Sequence, residues 1–118
     1  MTAQSDGCFE AGKRTRDRLA RKLRSITGRD ATEVRVTRVR WSESLRWVAL
    51  VLVADADAQN GRREIPLADG SQHRQIAVLI HEAFPQANWS IAQDYDVADG
   101  TLREHLVHVP AYLGGEQR

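Results

Sequence analysis

Eight consecutive apolar residues, Trp47 to Ala54 (WVALVLVA), place the strongest constraint on how this chain folds. As a helix the run is too short to cross a bilayer, which takes about 20 apolar residues. It is rich in valine and leucine, and side chains alternate between the two faces of a strand, so it puts apolar groups on both faces of a sheet. Such a strand belongs at the centre of a sheet with both faces covered. Leu45 to Ala54 is therefore read as a central strand, and the rest of the chain must supply its neighbours and covering layers.

A partner strand precedes it. Thr32 to Trp41 is rich in β-branched residues, with Val34 and Val36 on one face and Arg35, Thr37, Val39 and Trp41 on the other. Ser42-Glu43-Ser44 makes the turn between the two strands. A polar loop over 55–62 with Asn60-Gly61 as its turn signal leads to a short third strand, Arg63 to Leu67, which Pro66 pushes to an edge. Two helices flank this group. Phe9 to Ile26 carries Leu19, Leu23 and Ile26 at i, i+4, i+7, and Gly28 closes it. The second begins at Asp69-Gly70-Ser71, with Asp69 or Ser71 as cap and Gln72 in the capping-box position. Ile76, Leu79, Ile80 and Ala83 form its buried face, and Pro85 ends it.

Residues 91–106 (IAQDYDVADGTLREHL) resemble the helix-turn-helix of GntR-type regulators. Ala92 matches the small residue of the first helix, Val97 the apolar residue before the turn, and Thr101-Leu102-Arg103-Glu104 the opening of the recognition helix. The resemblance implies a transcriptional regulator that sets this helix in the major groove. Asp96 stands where that family has a turn glycine. Asp94, Asp96, Asp99 and Glu104 outnumber Arg103, the wrong sign for a surface that meets phosphates. A β-hairpin fits the same residues. Trp89, Ile91, Gln93, Tyr95 and Val97 recur at period two, and Asp99-Gly100 suits a tight turn with Gly100 left-handed. The expected register faces Val97 with Thr101, Tyr95 with Arg103, Ile91 with Val107 and Trp89 with Val109. We adopt the hairpin. The longer pattern WSIAQDYDVADGTLREHLVHVP is similar to short uncharacterised proteins of actinobacterial plasmids and phages, which implies a mobile-element setting and no assigned activity.

Together these elements predict an α+β fold, α-β-β-(β)-α-β-β, with an antiparallel sheet of four to five strands and two helices. A single domain over 8–113 is expected between short tails at 1–7 and 114–118. Should the helices cover only one face, a second copy would cover the other, giving a homodimer.

Few residues point to chemistry. Cys8 is the sole cysteine, so neither an intrachain disulfide nor a cysteine-rich zinc site can form. His105 and His108 fall on opposite faces of a strand, and His81-Glu82 lacks the second histidine of a helical zinc motif. The carboxylate pairs Asp55/Asp57 and Asp94/Asp96 read as solvated faces. No glycine-rich phosphate loop or nucleophile elbow is visible. A non-enzymatic protein without metal or cofactor follows, placed in the cytoplasm because Met1 to Gly7 has no leader pattern.

Charge is more informative. Residues 1–46 hold 12 Lys/Arg and 6 Asp/Glu, a balance of +6; residues 47–118 hold 5 and 10, a balance of −5. The halves either neutralise each other or the first meets an acidic partner. Lys13, Arg14, Arg18, Arg21 and Arg24 spread over the polar arc of the first helix, and Arg38, Arg40 and Arg46 lie on the first hairpin beside Trp41 and Trp47. Basic residues interleaved with aromatics grip a backbone and stack bases. These eight residues are the candidate nucleic-acid site, for DNA or RNA. An acidic protein or a second copy is the alternative partner.

Overall fold

The computed structural model describes residues 8–41, 44–58 and 61–105, with side chains at all of these except 40 and 41. The elements are β1 (Cys8–Glu10), α1 (Lys13–Thr27), β2 (Ala31–Trp41), β3 (Ser44–Ala54), β4 (Arg62–Ile65), α2 (Gly70–Ala83), β5 (Gln93–Asp96) and β6 (Thr101–Glu104). All six strands join one antiparallel sheet in the order β1-β6-β5-β2-β3-β4. The fold is α+β as expected, with one strand more than expected. The additional strand is β1: Cys8 to Glu10 pairs with Arg103 to Thr101, so the first helix starts at Lys13 rather than Phe9. Gly12 in extended geometry breaks the two apart.

Both helices pack on one face of the sheet. Leu19 and Leu23 of α1 and Ile76, Ala77 and Ile80 of α2 share a single core with Val34, Val36, Ala49, Val51, Val53, Ile65, Tyr95 and Leu102. The α1 stripe therefore lies where its spacing put it, and Gly28 closes the helix in left-handed geometry at φ 74°. In α2 the Asp69 carboxylate accepts from the Ser71 and Gln72 amides, and the helix stops at Ala83, two residues before Pro85. The Gln72 side chain then ties the helices together, donating to the Ile26 carbonyl at 2.9 Å.

The doubly apolar run of β3 does not have a covering layer on both sides. Its odd residues Ala49, Val51 and Val53 are buried beneath the helices, while Val48, Leu50 and Leu52 face the helix-free side. There Arg35 stands directly opposite Leu50, and Glu33 and Glu64 flank Leu52. These long side chains leave Leu50 and Leu52 only partly exposed without a second layer.

Residues 93–104 are a hairpin. Asp96 pairs with Thr101, and a four-residue turn closes with the Gly100 amide donating to the Asp96 carbonyl at 2.8 Å. Thr101 to Glu104, which would open a recognition helix, is strand β6. The register is one residue away from the expected one: Tyr95 faces Leu102 and Asp94 faces Arg103. This slip sends Tyr95 and Leu102 to the core and both charged residues to the open face, so it satisfies burial where the expected pairing would not. Ile91 lies before β5 and is exposed, and the expected partners Val107 and Val109 lie outside the described residues.

Two outcomes follow. Gly100 adopts φ +72°, and a Cβ there would stand 2.8 Å from the Arg16 side chain. Gly100→Ala should destabilise by about 1–2 kcal/mol in urea unfolding. The Tyr95 hydroxyl is buried with no hydrogen-bond partner among the described residues, and burial pushes its pKa up to about 12. An unfolded tyrosine ionises near 10. The folded chain therefore holds this proton longer, and stability should fall as pH rises from about 10 to 12. Tyr95→Phe should remove that fall and, at neutral pH, stabilise the fold by about 1 kcal/mol, because it deletes an unsatisfied hydroxyl.

Candidate nucleic-acid interface

The central hairpin outruns its neighbours. β2 and β3 pair from Ala31/Val53 to Trp41/Ser44, but β5 covers only Glu33 to Val36 and β4 only Val51 to Ala54. Beyond Val36 and Ala49 the hairpin is a two-stranded ribbon. Isolated ribbons are marginal in water, so this one needs a support. Trp47 supplies it on the helix side of the sheet. Its ring centroid lies 5.9 Å from His81 of α2 and 6.1 Å, edge-on, from Trp89. His81 and Trp89 are themselves 5.3 Å apart, and the Trp89 indole donates to the Phe84 carbonyl at 2.9 Å. The Arg38 guanidinium, cross-strand from Trp47, lies 5.4 Å from its ring. Trp47 thus anchors the ribbon to α2 and carries a cation. The side chains of Arg40 and Trp41 lie outside the described set.

His73 marks the junction between sheet and ribbon. Its Nδ1 accepts the Ala49 amide at 3.0 Å, at the level where β4 no longer covers the edge of β3. Without it the Ala49 N–H would have no strand partner among the described residues.

Seven of the eight predicted cations, all but Arg40, separate into three groups. Lys13 is tied to Asp17 at 2.9 Å, and this partner holds the Asp17 carboxyl below its usual pKa. Arg24 is tied to Asp30. Arg14, Arg18 and Arg21 form an exposed stripe on α1 with no ion pair among the described residues. Arg38 and Arg46 stand on the ribbon.

Two cations absent from that set connect these groups. Arg18 and Lys22 of α1 and Arg74 of α2 line one open groove between the helices, together with Ser25, Ser71 and Gln75; Glu82 is the single acid among its described lining residues. Arg74 and Val78 also line the adjoining groove, which holds Arg46 and Trp47. The result is a basic track over the helix layer, from α1 across α2 to the ribbon. There Arg38 shares the helix side with Trp47, and Arg46, in phase with Val48 and Leu50, starts from the helix-free side. Arg74 was legible as an exposed position on α2, out of phase with Ile76 and Ile80. Only the packing of α2 between α1 and the ribbon gives it significance.

The acids collect elsewhere. Glu33, Asp94, Asp96, Asp99 and Glu104 surround a depression with Thr101 and Arg103 beside β5 and β6. Arg35 donates to Asp94 at 2.7 Å, and His105 Nδ1 lies 2.8 Å from the other Asp94 oxygen. Of the two charge-rich parts of the chain, the Arg35–Asp94 pair joins first to second, whereas Lys13 and Arg24 find their acids nearby. The described residues contain no group of three or more His, Cys, Asp or Glu arranged to hold a metal ion. No described helix is long and apolar enough to cross a membrane.

His73→Phe should destabilise by about 1–2 kcal/mol by orphaning a buried amide. Hydrogen exchange at the Ala49 amide should accelerate well beyond that of Val51, which keeps its β4 partner.

Compared with protein-family models, curated proteins and solved structures, the chain matches none.

Proposed function

We propose that this is a small non-enzymatic accessory or regulatory protein that binds nucleic acid through its phosphate backbone, along the track Arg18–Lys22–Arg74. The observation that carries this reading is the groove between α1 and α2, where, among the described residues, three cations and three neutral hydrogen-bonding side chains meet a single carboxylate. Phosphate contacts supply most non-specific affinity, and serine and glutamine side chains commonly add to them. Arg14 and Arg21 extend the track along α1, and Arg38 extends it onto the ribbon. Trp47 is committed to packing, so backbone contact rather than base stacking dominates, and sequence preference is weak.

The test is fluorescence anisotropy with labelled duplex DNA, single-stranded DNA and RNA across a salt series. A triple substitution Arg18→Ala, Lys22→Ala, Arg74→Ala should weaken duplex binding strongly and reduce the slope of log K against log salt by about 2–3. Arg24→Ala, which removes a cation already tied to Asp30, should change the slope little. Absence of binding to all three probes at low salt overturns the proposal.

A further inference from the structure

We infer that the nucleic acid taken by the groove between α1 and α2 is RNA, told from DNA by acceptor groups on α2 that meet its ribose 2′-hydroxyls. This names the substrate of the site proposed above and rests on that reading.

The two walls of the groove carry different chemistry. The helices run antiparallel: the Gln72 side chain at the start of α2 reaches the Ile26 carbonyl at the end of α1, and Gly12 and Thr15 share a cavity with Ala83 and Phe84. On the α1 wall, Arg18, Lys22 and Ser25 fall at i, i+4, i+7 and form one row. On the α2 wall, Ser71 and Gln75 are four apart, and the same row continues through Leu79 to Glu82. Counted in turns from the Gln72–Ile26 contact, Lys22 is level with Gln75, and Arg18 approaches the turn that holds Glu82.

The α1 wall donates, and the α2 wall also accepts. Gln75 Nε2 donates to Ser71 Oγ at 3.1 Å, which orients the amide and leaves its Oε1 an acceptor. The Glu82 carboxylate accepts only. A phosphate oxygen is negative and also accepts only, so it satisfies Arg18, Lys22 and Arg74 but neither Gln75 Oε1 nor Glu82. A ribose 2′-hydroxyl donates as well as accepts, and it is the group by which a protein distinguishes RNA from DNA. An RNA backbone therefore answers both walls at once, with phosphates on the cations and hydroxyls on Gln75 and Glu82. Ile26 and Leu79, half-buried between the rows, fit the carbon side of the sugar. A DNA backbone answers the cations alone. It brings phosphates beside Glu82 with no donor to offset the repulsion.

The probes are three duplexes of one sequence, in which base amines stay paired: RNA, DNA, and RNA with 2′-fluoro sugars. The fluoro duplex keeps the A-form helix and its phosphates but cannot donate from the 2′ position. Binding is read by anisotropy at matched salt. RNA should bind about tenfold more tightly than either of the others, the scale of one or two hydrogen bonds gained. RNA and fluoro-RNA should share one salt slope, because their phosphate contacts are the same. The double substitution Gln75→Leu, Glu82→Leu changes two exposed side chains and leaves the three cations in place. It should erase the preference for RNA over fluoro-RNA while DNA binding holds or tightens, with the thermal melt unchanged. Equal affinity for RNA and fluoro-RNA overturns the inference and leaves the phosphate reading standing. So does a double variant that gains affinity for all three duplexes alike, since Glu82 would then act as a repulsive charge only. Absence of binding to all three duplexes also overturns the inference, and the phosphate reading falls with it only if single strands fail as well.

Discussion

The pairing of β2 with β3 governs the rest of this molecule. It runs for the full length of both strands, whereas every other strand has four residues or fewer. Where β4 and β5 flank it, the hairpin is the floor of a core roofed by α1 and α2. Where they stop, it continues alone. The excess length creates a ribbon, and the ribbon creates a demand for apolar support from a single side. Trp47 meets that demand by packing on His81 and Trp89, elements placed by the end of α2 and the loop after it. The ribbon, with Arg38 against Trp47, exists because the central pair outlasts its neighbours.

Charge follows the same division. The helix-free face carries a row of ion pairs and close contacts, Arg62 with Glu33, Arg35 with Asp94, and His105 beside Asp94. Exposed pairs of this kind contribute little to stability, about 0–1 kcal/mol each. Their larger effect here is to keep Leu50 and Leu52 beneath long polar side chains in an uncovered sheet. The helix layer lacks such compensation. Asp17 and Asp30 neutralise Lys13 and Arg24 at the two ends of α1, and leave the middle of the helix positive next to Arg74. The imbalance between the two parts of the chain is thus partly discharged across the sheet and partly retained on one surface.

Local signals made most elements legible. The i, i+4 leucines fixed the buried stripe of α1, and Asp69 and Pro85 fixed the ends of α2. Asp99-Gly100 gave the β5–β6 turn, because a left-handed residue is a property of one position. Register was not legible to one residue, because it depends on which of Tyr95 or its neighbours can reach Phe84 in the core, a tertiary fact. β1 was hidden because three residues carry no periodicity. The two-sided apolarity of β3 pointed to two covering layers, since a sequence does not reveal that Arg35, Glu33 and Glu64 will lie over Leu50 and Leu52. Half of the basic track was visible as cations on α1 and the hairpin. Lys22 and Arg74 were not singled out, because the groove that unites them belongs to neither helix alone.

The cations retained on the helix layer repel one another across the groove between α1 and α2, and like charges held close favour a polyanion that relieves the repulsion. The proposed phosphate contact at Arg18, Lys22 and Arg74 would therefore couple to stability. A backbone bound there would favour the packing of α2 on α1, which the Gln72 side chain already secures at the Ile26 carbonyl. Salt would act on both quantities in the same direction, because it screens the repulsion and weakens the binding that relieves it.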